Sequence, residues 1–144
     1  VVMLELTEGI LIENIDDTIA KMNALKAMGI RIAIDDFGTG YSSLSYLKQL
    51  PLDQLKISND FVDDIGTDSN GEIIVDTIIS MARHMGLGVV AEGVETTAQL
   101  QFLEQRGCHI FQGFYFSVPV VRADYLQFLR QAPTRAIQPA LFPD

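Results

Sequence analysis

Two adjacent aspartates close the apolar run Ile30-Arg31-Ile32-Ala33-Ile34-Asp35-Asp36, which leads directly into Phe37-Gly38-Thr39-Gly40. Paired carboxylates beside further side-chain oxygens suit hard divalent cations such as Mg2+ or Mn2+, which prefer oxygen ligands. Successive side chains on a strand face opposite ways, so both acids can serve one site only where the backbone leaves the sheet. Gly38 and Gly40 are expected to allow that turn. A purely structural use is also open, with Asp35 ending the strand and Asp36 capping the next turn. Four more apolar runs end in a polar or charged residue: Glu5 after Val1 to Leu4, Lys56 after Leu55, Glu92 after Val89 to Ala91, and Gln112 after Ile110 and Phe111.

Glu5 and Glu92 are each followed three residues later by a second acid, Glu8 and Glu95. Glu8 also fits an ordinary helix start. A lysine among carboxylates stays protonated, so Lys56 could orient a water, neutralise a phosphate, or form a structural salt bridge to Asp35 or Glu92. Gln112 can donate and accept hydrogen bonds, and Gly113 permits close approach of a ligand. His84 and His109 lack the paired spacing of a zinc site, and Cys108 reads as a small buried hydrophobe. The glycines match no nucleotide-binding loop pattern.

The elements that position these groups alternate. A helix is expected from Asp16 or Asp17 through Met28, with Ile19, Met22, Leu25 and Met28 as its apolar positions and Gly29 as its stop. Further helices are expected over Tyr41 to Leu50, Glu72 to Met85, Thr96 to Arg106 and Tyr125 to Gln131, with a strand over Leu52 to Ile57. Strand and helix in alternation imply parallel strands joined by right-handed crossovers. Polar residues at every strand's carboxyl end favour a barrel, whose active site is built from such ends, over an open sheet with one switch point. A full barrel needs eight strands and about 250 residues. Five are counted here, so the expected fold is the C-terminal portion of a modified (β/α)8 barrel in residues 1–131, followed by a tail in 132–144.

With 144 residues, 48% of them hydrophobic, the chain can bury a sizeable core. Its formal net charge of −9 argues against duplex nucleic acid as a partner, since such binding requires excess Lys and Arg. A single cysteine and the lack of a leader or long apolar span lead to the expectation of a cytoplasmic protein.

The segments Glu5-Leu6-Thr7-Glu8, Asp35 through Leu44, Leu55-Lys56-Ile57, Ala91-Glu92-Gly93-Val94-Glu95 and Gln112-Gly113-Phe114 together closely resemble the C-terminal part of the EAL domain, the bacterial phosphodiesterase of cyclic di-GMP. That resemblance implies hydrolysis of cyclic di-GMP to linear pGpG at a pair of Mg2+ or Mn2+ ions. Glu5, Asp35, Asp36 and Glu92 would hold the metals, and Lys56 would lie beside the attacking water. Gln112 and Gly113 would line the substrate site, and Glu8 would hold the loop containing Gly38 and Gly40. A homodimer and attached sensory or cyclase domains are expected of the intact protein. The Glu-Ala-Leu signature and an Asn ligand are expected upstream of Val1. Two departures stand out: Ser58 where the family usually has Asp, and Val118 where lysine is common. The alternative is a catalytically degenerate module that binds the dinucleotide or a protein partner.

Overall fold

The computed structural model describes residues 2–7, 14–40 and 44–131. Glu8, Tyr41 to Ser43 and the expected tail lie outside them. Five parallel strands, β1 (Met3–Thr7), β2 (Arg31–Phe37), β3 (Gln54–Ile57), β4 (Gly88–Ala91) and β5 (Ile110–Phe111), form one sheet. Their spatial order is their chain order, so no switch point exists among them. This is the order of a barrel wall. Among the described residues, β1 and β5 are its two edges. The helices are α1 (Ile15–Ala27), α2 (Leu44–Leu47), α3 (Asn59–Asp63), α4 (Ser69–His84), α5 (Thr97–Gln105) and α6 (Arg122–Gln131).

The central strands read as continuous apolar runs because they are covered on both faces, as parallel strands usually are. Ile32, Ala33, Ile34, Leu55 and Ile57 are fully buried, and Val62, Val75, Ile79, Ala82 and Leu103 pack with them. None of the described helices is long and apolar enough to cross a membrane.

Several boundaries differ from the expectation. Asn14 caps α1 by accepting from the Asp17 amide, so Asp16 and Asp17 lie in the first turn, where carboxylates complement the helix dipole. Met28 is 76% exposed. Two steps of three residues carry it about 120° around the helix from the buried Met22, off the inward stripe. The short α3 has too few residues to display a period. Helix α4 starts at Ser69, capped by Asp68, and takes in Gly71, which lies just before the expected start at Glu72. A side chain there would collide with Asp64 at the end of α3. Gly71 is therefore a contact between helices.

Gly38 follows β2 with φ +97, and a Cβ on it would lie 2.9 Å from Phe61 Cε2. Both the backbone conformation and the close ring exclude a side chain. Gly38→Ala is accordingly expected to cost roughly 1–3 kcal/mol of stability, read as a lowered denaturation midpoint. An unchanged midpoint would show that this loop moves aside freely.

Candidate active site

Register explains why residues from four separate segments meet. In a parallel sheet, residues in register share a face, and so do residues two apart on one strand. Glu5 is in register with Ala33, Ala33 with Gln54, and Lys56 with Val90. Two steps onward from Ala33, Gln54 and Val90 stand Asp35, Lys56 and Glu92. Glu5, Asp35, Lys56 and Glu92 therefore all face one way. Glu5 differs in level from the expectation: β1 continues to Thr7, so Glu5 lies inside the strand and not at its end.

Asp36 would face the opposite side in a regular strand. Between the pairs Ile34 with Leu55 and Phe37 with Ile57, β2 contains two residues, Asp35 and Asp36, while β3 contains only Lys56. This is a β-bulge: two residues oppose one and the strand is locally re-aimed. Asp36 absorbs it at φ +50, the sole positive value on a non-glycine among the described residues. Aspartate tolerates this left-handed conformation better than most residues do. Thr39 braces the turn, since its hydroxyl and its amide both donate to the Asp36 carbonyl, at 2.8 and 3.3 Å. The sequence assigned the turning of the second carboxylate to Gly38 and Gly40; the bulge does it inside the strand. Oxygen atoms of Asp35, Asp36 and Glu92 lie within 4.8 Å of one another.

Lys56 holds the other side of the cluster. Its Nζ hydrogen-bonds Glu5 Oε2 at 2.8 Å and sits 2.8 Å from both Asp35 Oδ1 and Glu92 Oε1. Its side chain is only 8% exposed. Burial alone would push its pKa down, but the bonds to Asp35, Glu5 and Glu92 outweigh burial and raise it above the ordinary 10.5. Lys56 is thus a fixed cation. Asp35 Oδ1 is buried, and the Lys56 ammonium at 2.8 Å answers its charge. Three converging carboxylates without His or thiolate fit a hard divalent cation.

Beside Glu92 opens a cavity of about 300 Å³ lined by Asn59, Glu95, Gln112, Gly113 and Phe114. Gln112 thus shares a cavity with Glu92, as its place after β5 implied. Gly113 has a structural duty as well, because any Cβ there would meet the backbone N and O of Val94. The loops after β4 and β5 are zipped at this point by Val94 N to Gln112 O at 3.0 Å and Tyr115 N to Val94 O at 2.9 Å. Asn59 was missed in the sequence because nothing in its neighbours marks it; only the fold brings α3 beside Glu92. Ser58 is buried at the start of α3 and makes no side-chain cap bond. His84 and His109 are exposed. Cys108 is buried, and burial pushes its thiol up to about 11.

A family model described as the EAL domain matches residues 1–119. The cyclic di-GMP phosphodiesterase NbdA of Pseudomonas aeruginosa is 49% identical over 127 residues, covering 88% of this chain and 16% of NbdA. The structure of the PaMucR phosphodiesterase with c-di-GMP superposes with a TM-score of 0.81 at 44% identity, covering 85% of this chain and 50% of that one. A manganese and cyclic di-GMP complex of Klebsiella pneumoniae BlrP1 gives a TM-score of 0.74 at 38% identity, covering 81% and 30%. The chain thus spans about a sixth of the curated relative and half of the PaMucR structure.

Replacing Lys56 by Met leaves its carboxylates facing one another. In metal-free protein the expected cost is about 3 kcal/mol at pH 7, the low end for a broken buried pair, because water screens the half-exposed Glu5. Since the folded lysine binds its proton more tightly than the ordinary 10.5 allows, its contribution is complete below that pH and fades as pH rises past it. Urea unfolding in chelator at neutral and strongly alkaline pH should show the gap between wild type and Lys56→Met narrowing. An equal gap at both would remove Lys56 as the centre of the cluster.

Proposed function

The chain belongs to the EAL domain family, and we propose that in its intact domain it hydrolyses one phosphodiester of cyclic di-GMP to give linear pGpG. The observation that carries this proposal is the bulge that turns Asp36 to the face of Asp35 and Glu92 beside the cation Lys56. The relatives named as cyclic di-GMP phosphodiesterases, and the solved complexes with that dinucleotide, supply its substrate.

Glu5, Asp35, Asp36 and Glu92 would hold Mg2+ or Mn2+. Bound there, two such ions would acidify a water at neutral pH and offset the charge of the phosphodiester. Water oxygen bonds to phosphorus, the ribose oxygen opposite leaves, and the proton released by the water is returned to that leaving oxygen, so the ring opens with no net redox change. Without metal, its carboxylates keep Lys56 protonated. It offsets the mutual repulsion of Glu5, Asp35 and Glu92, and an N–H freed when metal takes one of those carboxylates would be donated to the attacking water or to a phosphoryl oxygen. Gln112, Gly113 and the adjoining cavity would receive the nucleotide next to Glu92. Glu8 would anchor the loop that continues from Gly38 and Gly40. We further propose a cytoplasmic homodimer in which sensory or cyclase domains accompany this one.

Residues 1–144 expressed alone are proposed to be inactive, because a barrel of this class needs eight strands and the five described leave β1 and β5 as edges. Ser58 is the observation that favours a second reading, a module that binds the dinucleotide or a protein without turnover. It stands buried, two residues after Lys56, where a carboxylate would add to the site's charge.

Asp35→Asn in the intact protein removes one ligand charge. It should cut cyclic di-GMP hydrolysis by more than about 100-fold, the upper end for mutating mere supporting groups, and weaken Mn2+ binding in a direct titration. Wild-type turnover in that variant would defeat the metal assignment. Tight dinucleotide binding with no turnover in the wild type would select the second reading.

A further inference from the structure

We infer that Gln99 is a positioning residue whose side-chain amide ties together the two loops flanking the cavity beside Glu92. The inference rests on the proposal that this cavity receives the substrate.

Gln99 is the third residue of α5 and is buried, with 6% exposure. Its Oε1 accepts from the Glu95 and Thr96 amides at 2.8 and 2.9 Å, and its backbone N–H donates to Thr96 Oγ1 at 3.2 Å. Those bonds complete a capping box, which a glutamate at this position would complete equally well. The amide group does something a glutamate could not. Nε2 donates at 3.2 Å to the carbonyl of Val62, 37 residues earlier, near the end of α3. The Val62 carbonyl also accepts from the Ile65 amide at 3.2 Å, and a carbonyl's second lone pair leaves room for the Gln99 donor.

The consequence lies in what the two tied segments carry. One, after β4, bears Glu92 and Glu95; the other, α3, begins with Asn59; all three line the same cavity. At the rim the segments also touch directly, since Gly93 at φ +73 leaves room for Asn59 where a Cβ would come within 2.6 Å of the Asn59 Cβ. Gln99 fastens them a second time, through the Val62 carbonyl. Two attachments fix an angle where one would leave a hinge, so the tether sets how far Asn59 stands from Glu92 and Glu95.

The test uses the intact protein with three substitutions. Gln99→Met removes cap and tether without adding charge. Gln99→Glu keeps the cap and loses the donor. Thr96→Val weakens the cap and keeps the tether. Both Gln99 variants should raise KM for cyclic di-GMP roughly three- to tenfold, the worth of one neutral hydrogen bond, with a smaller loss in kcat because Glu92 lies on the tied segment. Thr96→Val should lower Tm and leave KM alone. Amide hydrogen exchange should speed up together in residues 59–63 and 92–96 of the Gln99 variants but not across residues 59–63 of Thr96→Val. Wild-type KM with unaltered exchange in Gln99→Glu would overturn the inference, as would a Thr96→Val protein that matches the Gln99 variants in both readouts. Should Gln99→Met not fold, Gln99→Glu carries the test by itself. A wild-type protein that neither binds nor cleaves cyclic di-GMP would defeat the proposed function, while the exchange comparison would still decide the tether.

Discussion

A single buried ammonium organises this end of the sheet. Lys56 on β3 is bound at 2.8 Å by acids from β1, β2 and the end of β4. A lysine so nearly removed from water would lose its proton if unpaired. Unit charges 4 Å apart attract by about 4 kcal/mol at an effective dielectric of 20, so several such partners together exceed the cost of burial. The same ammonium relieves repulsion among the carboxylates, which is why removing it should hurt more than removing any one partner. Glu5 and Lys56 straddle β2, some two strand spacings or roughly 10 Å apart along the sheet. Only long side chains reaching over a small residue can close that span. Ala33 on β2, in register with Glu5, is that residue.

The bulge in β2 is the second requirement, and it is geometric. A regular strand delivers every second residue to one face, which would supply Asp35 and waste Asp36. Inserting one residue opposite Lys56 brings the next acid round at the cost of a left-handed backbone at Asp36. That cost is tolerable for aspartate and is shared by Thr39, whose two bonds hold the turned carbonyl. Gly38 then carries the chain away past Phe61, where a side chain would not fit. The dipeptide, the threonine and the glycine form one device spread over consecutive residues.

That device shows where the sequence was legible and where it was not. Strand-end acids could be read because hydrophobic runs betray buried parallel strands, and because Glu5, Asp35, Lys56 and Glu92 follow from parity once the strands are placed. The bulge was hidden, since it is a relation between β2 and β3 and not a property of either; the glycines drew the credit for it. Gly71 and Gly113 look like turn or ligand glycines in sequence. The fold uses Gly71 for the approach of α3, and Gly113 for the approach of the Val94 backbone. Asn59 and Gln99 were invisible for a related reason, as their importance lies in contacts across 34 or more residues with segments that share no pattern with them.

Charge supplies a reason for metal that is independent of kinship. Glu5, Asp35, Asp36 and Glu92 bring four negative charges to one mouth, and Lys56 answers one of them. The chain as a whole is also acidic, at −9. A phosphodiester approaching this mouth would be repelled, and the repulsion would be strongest at the short range where chemistry must occur. A site of this composition can take an anionic substrate only after cations have been added to it. Two divalent ions would more than reverse the three charges that Lys56 leaves unanswered, turning a repulsive mouth into an attractive one. On the proposed function the acids would first recruit metal, and the metal would then admit the phosphate.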